Sequence, residues 1–153
     1  MGLIAGGWQL SGMLTALSGQ PLTIGQSSSL QVNRSDYLGG DTTLSNSRET
    51  LQYLNRAAFA LVPISPVSGA SIRPGNIGNG AIRGPGLQNV DFSLAKNVAI
   101  TERLKFQLRA DSFDFLNHTN FTGMSTSLNS ATFGRFTSTR GARLVQLNAR
   151  LSF

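Results

Sequence analysis

The sequence has no cysteine and a single histidine, His118, among its 153 residues. The lack of cysteine excludes disulfide bridges, thiol chemistry and every zinc site built on cysteine. A lone histidine has no second ligand at metal-binding spacing, which favours a turn residue at the end of a strand over a metal or ligand contact. We therefore expect neither a metal nor a cofactor.

Charge is also scarce. Charged residues make up 13% of the chain, against roughly a quarter in ordinary globular domains. The net charge is nevertheless +6, and Lys96 and Lys105 are the only lysines. The arginines are dispersed, with no basic run and no interleaved aromatic pattern, so nucleic acid is not an expected partner.

Long hydrophobic runs are missing as well. No apolar stretch reaches the ~20 residues that a membrane-spanning helix needs. Residues 1–19 superficially resemble a signal peptide, but a basic start is lacking, and Trp8, Gln9 and Ser11 interrupt the apolar part. We interpret this segment as a strand, so no export signal is visible.

The sequence does contain segments in which every second residue is apolar. Residues 143–153 (RLVQLNARLSF) alternate strictly, with Val145, Leu147, Ala149, Leu151 and Phe153 on one side. Such alternation predicts a β-strand with one apolar face and one mostly polar face. A strand that ends on phenylalanine resembles the closing strand of a bacterial outer-membrane β-barrel.

Three further segments alternate in the same way. Strands are predicted at about 7–19, 88–100, 104–116 and 143–153, with long loops at 25–87 and 117–142 and a short turn at 101–103. A short helix is expected around 49–58. Lys96 interrupts the apolar phase of the second strand, which predicts either a bulge or a lysine at a membrane interface.

The loops follow the order long, short, long. Outer-membrane barrels have long external loops, short periplasmic turns and strands of about 10 residues. We therefore expect an all-β fold, an antiparallel meander of about four long strands that forms a segment of a transmembrane outer-membrane β-barrel with two long loops. The residues expected to face its wet interior are Asp91, Lys105, Gln107, Arg109, Asp111, Gln146, Asn148 and Arg150.

The remaining motifs favour structural roles over catalysis or phosphate binding. Asp111 and Asp114 would point to opposite sides of a strand, which argues against paired acid–base catalysis. Asp111 is instead expected to pair with Arg109 or Arg150. The glycines of residues 75–86 lack the Lys-Ser/Thr of a phosphate-binding loop. We expect that the protein is not an enzyme.

Aromatic and basic residues suggest contacts at the membrane surfaces. Trp8 is expected at the periplasmic interface, and the residues expected at the outer rim are Phe113, Phe115, Phe121 and Phe133. Arg135 and Arg140 fall in a loop predicted to lie outside, where they are candidates to contact lipopolysaccharide phosphates or an anionic ligand. Solvated loop charges are the simpler interpretation of these arginines.

Four segments in the same order resemble the C-terminal end of TonB-dependent receptors of the Oar-like type, which carry a carboxypeptidase-regulatory-like domain at the N-terminus. They span residues 6–24, 54–62, 82–121 and 133–153. The most specific parts are RGPG followed by DFSL and KN, and FDFLNHTNF. Asp114 and Ala95 depart from the usual residues, without damage to the strand pattern.

The resemblance implies a receptor that binds and imports a ligand through a barrel of about 22 strands with a plug, coupled to the TonB system through an N-terminal part. About four strands are predicted here, so we expect a fragment that carries the closing strands. Leu147, Ala149, Leu151 and Phe153 are predicted to form the signal read by the barrel-assembly machinery.

The expected location is the cell outer membrane of a Gram-negative-type bacterium. The expected partners are outer-membrane lipid and lipopolysaccharide, the assembly machinery, and the rest of the receptor barrel with its plug. Two alternatives remain open from the residues alone. One is a soluble secreted β-sandwich or adhesin-like binding module, and the other is a remnant that never folds.

Overall fold

A computed structural model describes residues 6–27 and 34–153, which belong to two compact units. The first unit runs to Leu17 and continues through Leu87–Asn120 and Gly141–Phe153. The second comprises Ser18–Gly86 and Phe121–Arg140. Within the described ranges, no helix is both long and apolar enough to cross a membrane.

The described residues form ten strands and two short helical elements. In order they are β1 (Trp8–Leu17), β2 (Pro21–Leu22), β3 (Asp36–Tyr37), β4 (Phe59–Ala60), β5 (Ile82–Arg83), β6 (Leu87–Ala99), β7 (Lys105–Phe113), β8 (Phe121–Met124), β9 (Phe136–Thr139) and β10 (Leu144–Ser152). Helix α1 (Ser47–Thr50) and a 3₁₀ turn (Arg56–Ala58) lie between β3 and β4.

The four long strands make one antiparallel sheet in the order β1-β6-β7-β10. Each is paired with the next long strand along the chain, so the sheet is a meander, and the predicted fold class is confirmed. β7 ends at Phe113, earlier than predicted, because Asp114 adopts a left-handed conformation (φ 52°). The Asn117 amide then donates to the Asp114 carbonyl over 2.8 Å and closes a turn.

The connections between these strands differ sharply in length. A tight turn joins β6 to β7, held by the Ile100 amide, which donates to the Leu104 carbonyl over 2.9 Å. The Leu104 amide donates in return to the Thr101 hydroxyl over 3.0 Å. The two long connections leave the opposite end of the sheet, where Leu17 pairs with Leu87 and Leu144 with Phe113.

Both predicted long loops fold into the second unit. Its three small sheets pair β2 with β5, β3 with β4 and β8 with β9. Its core contains residues of both loops, among them Leu54, Phe59, Leu128 and Phe133. Phe59 and Phe133 pack edge-to-face with ring centres 5.8 Å apart. The two loops therefore share one hydrophobic core, which the prediction of two irregular loops had missed.

The predicted helix at 49–58 is wrong as a continuous element. Helix α1 ends at Thr50 because Leu51 turns into the left-handed region (φ 59°). Leu54 is then drawn into the core with no exposed surface. The Asn55 side chain accepts from the Ala57 amide over 3.1 Å and starts the separate 3₁₀ turn. Tertiary burial of Leu54 thus overrides the weak helical period.

Two polar groups organise the second unit. The buried Gln26 amide accepts from the Val62 amide at 2.6 Å and donates to the Val62 carbonyl and the Ser71 hydroxyl, each at 2.9 Å. Asp36 accepts two hydrogen bonds from the Arg73 guanidinium, at 2.6 and 2.9 Å. The Arg73 hydrogen bonds lower the pKa of Asp36, helped by the Asn76 amide, although burial opposes them.

Candidate membrane-spanning wall

Strand register places the side chains of the long sheet on two distinct faces, because paired residues lie on the same side of an antiparallel sheet. The apolar face carries Trp8, Leu10, Gly12, Leu14, Ala16, Gln88, Val90, Phe92, Leu94, Lys96, Val98, Phe106, Leu108, Ala110, Ser112, Val145, Leu147, Ala149 and Leu151. Most of these side chains are hydrocarbon, so this face suits an apolar environment.

Large side chains on the apolar face lack a protein covering. Leu10 is 67% exposed, and Leu14 and Leu147 are each 72% exposed. A soluble β-sandwich would bury such residues under a second sheet about 10 Å away. Among the described residues no second sheet does so, which argues against the soluble alternative. A continuous exposed apolar surface of this size marks contact with lipid or another protein.

Lys96 is the charged residue on the apolar face. The pairing of β1 with β6 is continuous through Trp8 and Lys96, so the bulge considered from the sequence is absent. The Lys96 ammonium lies 4.7 Å from the centre of the Trp8 ring and donates to the Gly6 carbonyl. An amphipathic ring and a lysine stem of this kind are typical of a membrane interface.

The opposite, polar face holds the charges. It carries Gln9, Ser11, Met13, Thr15, Leu17, Leu87, Asn89, Asp91, Ser93, Ala95, Asn97, Ala99, Lys105, Gln107, Arg109, Asp111, Phe113, Leu144, Gln146, Asn148, Arg150 and Ser152. All eight residues predicted to face a wet interior lie on this side. The separation of charge from hydrocarbon is therefore the one that a membrane wall requires.

The carboxylates of the polar face are engaged by near neighbours. The Arg109 guanidinium donates to Asp111 over 2.8 Å, so Arg109 rather than Arg150 is its ion-pair partner. Asp91 accepts from the Asn89 side chain at 2.9 Å and from the Asp114 amide at 3.0 Å. Asp111 and Asp114 lie in different elements, Asp111 within β7 and Asp114 in the turn that follows it.

The predicted assembly residues lie at the edge of the sheet. Leu147, Ala149 and Leu151 are on the apolar face of β10, opposite Ala110, Leu108 and Phe106 of β7. Phe153 follows β10 and is fully exposed. Among the described residues, β10 and β1 each pair on one side only. The strand edge and its apolar side chains are therefore accessible together.

Arg135 and Arg140 are exposed and lie in the second unit, one at each end of β9. Five residues of extended chain separate them by about 16 Å, since a strand rises ~3.3 Å per residue. The backbone positions of the two arginines are therefore well separated along β9.

The NHTN segment serves as a structural turn. The His118 amide donates to Asp114 over 3.1 Å. The buried Asn120 side chain donates to the Gln88 carbonyl at 2.7 Å and accepts from the Gln88 amide at 2.9 Å. Asn120 thus holds the start of β6 in place through two hydrogen bonds. The sequence analysis did not predict this role. Among the described residues no cluster of three His, Asp or Glu side chains could hold a metal.

The aromatic residues predicted at the outer rim do not form one cluster. Phe115 packs on Phe92 with ring centres 5.2 Å apart, whereas Phe113 lies on the polar face. Phe133 is buried in the core of the second unit, and Phe121 stacks on Phe136 at 4.4 Å. Because Phe133 is buried within the second unit, the girdle prediction is wrong for this residue.

A two-faced antiparallel sheet of this kind defines the wall of a membrane β-barrel. A family model described as the outer membrane beta barrel domain matches residues 1–146. The chain belongs to this family, and its location is the outer membrane. Comparisons with curated proteins and with solved structures found no match.

Proposed function

We propose that this chain is part of the barrel of a TonB-dependent receptor of the Oar-like type, which binds a ligand and imports it through the outer membrane. The observation that carries the proposal is the sheet with one lipid-compatible face and one charged face. The resemblance of residues 82–121 and 133–153 supports the receptor type. In this proposal the role is transport and not catalysis.

The proposal includes the remaining strands of the barrel as partners. Unpaired N–H and C=O groups of β1 and β10 would be very costly in hydrocarbon, where each needs a hydrogen bond. Further strands of the receptor barrel would satisfy these edges. The plug and the TonB system would act through parts of the receptor outside these strands.

Photo-crosslinking in a Gram-negative host tests the receptor proposal. A crosslinker at Ser11 of β1 or Asn148 of β10 should capture other strands of a receptor that also co-purifies with the periplasmic domain of TonB. A crosslinker at Ala110 of β7 is the control. This inner strand is paired on both sides and Ala110 lies on its apolar face, so the products should stay within the sheet. Crosslinks between copies of this chain alone, without TonB association, would contradict the proposal.

We also propose that Leu147, Ala149, Leu151 and Phe153 form the signal that the barrel-assembly machinery reads. Their exposure along the open edge of β10 supports this role. Phe153→Ala should reduce insertion into the outer membrane and lower crosslinking to the assembly machinery. Ser152→Ala, on the opposite face, is the matched control. Equal insertion of the two variants would argue against the signal.

A smaller proposal concerns Arg135 and Arg140, whose exposed guanidinium groups suit lipopolysaccharide phosphates. Because β9 separates them, each should contribute on its own. Arg135→Ala and Arg140→Ala should each weaken lipopolysaccharide co-purification, and the double variant should weaken it further. Arg103→Ala, in the turn at the other end of the strands, should leave it unchanged. Full retention in the double variant would refute these contacts.

A further inference from the structure

A concavity of about 480 Å³ lies on the polar face at the end of the sheet that carries the tight turn. Its lining on that face consists of Asn97, Ala99, Lys105, Gln107, Arg150 and Ser152. Two of these six residues are cations and three are neutral hydrogen-bonding residues. The lining contains no carboxylate side chain.

The two cations are close neighbours across the strands. Lys105 lies opposite Ser152 and Arg150 lies opposite Gln107, so Lys105 and Arg150 occupy diagonal positions on β7 and β10. Long side chains reach each other across such a diagonal, and the two like charges repel each other. An anion between them would turn this repulsion into two attractive contacts.

Neither cation is neutralised within the described residues. The ion pairs found there join Arg73 to Asp36 and Arg109 to Asp111, and neither Lys105 nor Arg150 takes part. On the polar face the nearest acidic residue along β7 is Asp111, which Arg109 already engages. Along the strands, this end of the polar face therefore carries two cations and no acidic residue.

The neutral side chains of the concavity include hydrogen-bond donors. The Gln107 side-chain amide donates to the side-chain oxygen of Asn97 over 2.8 Å. The Asn97 amide and the Ser152 hydroxyl are further donors by residue type. Arginine adds a planar fork that matches the geometry of carboxylate and phosphate oxygens.

We infer that this concavity is a binding site for a small oxyanion, a carboxylate or phosphate group held between Lys105 and Arg150. Its volume falls within the range of small-molecule sites, roughly 300–1,000 Å³. The inference concerns the polar face of the wall and does not depend on the import proposed above. It would hold for any outer-membrane barrel that contains this sheet.

Amide NMR of the full chain in detergent micelles tests the site. Sodium phosphate and sodium succinate would be titrated separately, each against sodium chloride at matched ionic strength. Saturable shifts should appear at the amides of Asn97, Gln107 and Arg150 with at least one of the two anions. Saturable shifts with phosphate indicate a phosphate site, and saturable shifts with succinate indicate a carboxylate site.

Charge variants separate a site from general attraction. In the Lys105→Gln/Arg150→Gln double variant, binding should weaken roughly tenfold or more, the effect of losing charge-assisted hydrogen bonds. Arg103→Gln removes one positive charge, as each single variant of the concavity does, from the turn outside it and should change affinity by less than about twofold, as expected of a solvated charge. Lys105→Arg should retain binding.

Several results would overturn the inference. They are an absence of saturable shifts, identical shifts with chloride, undiminished binding in the double variant, or an equal loss in Arg103→Gln. If the double variant does not fold, the single variants Lys105→Gln and Arg150→Gln decide, and each should bind more weakly than the parent chain. Unchanged shifts in β1 report that the sheet is intact.

Discussion

The ammonium group of Lys96 lies 4.7 Å from the centre of the Trp8 ring, and strand register places the two residues opposite each other on the apolar face. A cation over an indole ring is stabilised by the ring quadrupole. The contact allows a lysine to occupy a surface that is otherwise almost entirely uncharged. Such a pair is typical of a membrane interface.

A double-mutant cycle should measure this contact. Trp8→Leu, Lys96→Met and the double variant would be compared by denaturant unfolding in lipid vesicles. We expect a coupling free energy of about 0.5–2 kcal/mol, the range for cation–π pairs. The same cycle on Leu14 and Lys96, which are not paired, should give no coupling. Additive effects of the Trp8 and Lys96 changes would contradict the contact.

A charged side chain should be tolerated on the polar face of β10 and should destabilise the protein on its apolar face. Leu147→Arg places a guanidinium in the middle of the apolar face and should lower the stability of the inserted barrel by roughly 2–4 kcal/mol. Gln146→Arg places the same group on the polar face and should cost far less. Unfolding midpoints in vesicles compare the two variants. Equal costs would mean that β10 does not separate lipid from water.

The two insertions that make up the second unit, Ser18–Gly86 and Phe121–Arg140, should unfold together. Phe133→Ala removes a buried ring that packs on Phe59 and should destabilise the second unit by about 3–5 kcal/mol. Hydrogen exchange should therefore accelerate at Leu38, far away in sequence. Val67→Ala, at a fully exposed position, is the control. Exchange that accelerates only within residues 121–140 would show that the insertions are independent.

The second unit should lose stability in acid through Asp36. The Arg73 hydrogen bonds lower the pKa of Asp36 in the folded state, so the unfolded chain binds the proton more readily. The resulting stability is present above the unfolded pKa of about 3.9. It disappears as the pH falls through the lower folded pKa.

Urea unfolding followed by NMR at Ala58 measures this pH dependence. The midpoint for the parent chain should fall below about pH 4, where Asp36 begins to accept a proton. Asp36→Asn should be less stable at neutral pH and should show a flatter profile in acid. Asp41→Asn changes an exposed carboxylate of the same unit and should behave like the parent chain. A parent-like profile in Asp36→Asn would exclude this origin.

Replacing Gln26 should destabilise the second unit, because its side-chain amide makes three buried hydrogen bonds. Gln26→Leu leaves the amide and carbonyl of Val62 without their partners, and buried unsatisfied groups cost about 1–3 kcal/mol. We expect faster proteolysis within residues 63–72. Gln20→Leu, an exposed change in the same unit, should leave cleavage unchanged. Similar cleavage of both variants would show that water replaces the Gln26 contacts.

Strand positions and face assignments were predictable because each depends on a local period. Val145, Leu147, Ala149 and Leu151 alternate with polar residues, and register then places them on one face. Aspartate partners were partly predictable, since Arg109 and Asp111 are two residues apart on the same strand. The Lys105–Arg150 concavity was not predictable, because it depends on the offset between β7 and β10.

By itself, the sequence determined the all-β class, the four long strands, the order of long and short connections and the separation of hydrocarbon from charge. These features follow from side-chain alternation, which needs no knowledge of distant contacts. Only the tertiary structure decided that the two insertions share a core, that Leu54 and Phe133 are buried there, and that Lys105 and Arg150 line one concavity. Those outcomes depend on contacts between residues far apart in the chain, and no local pattern encodes them.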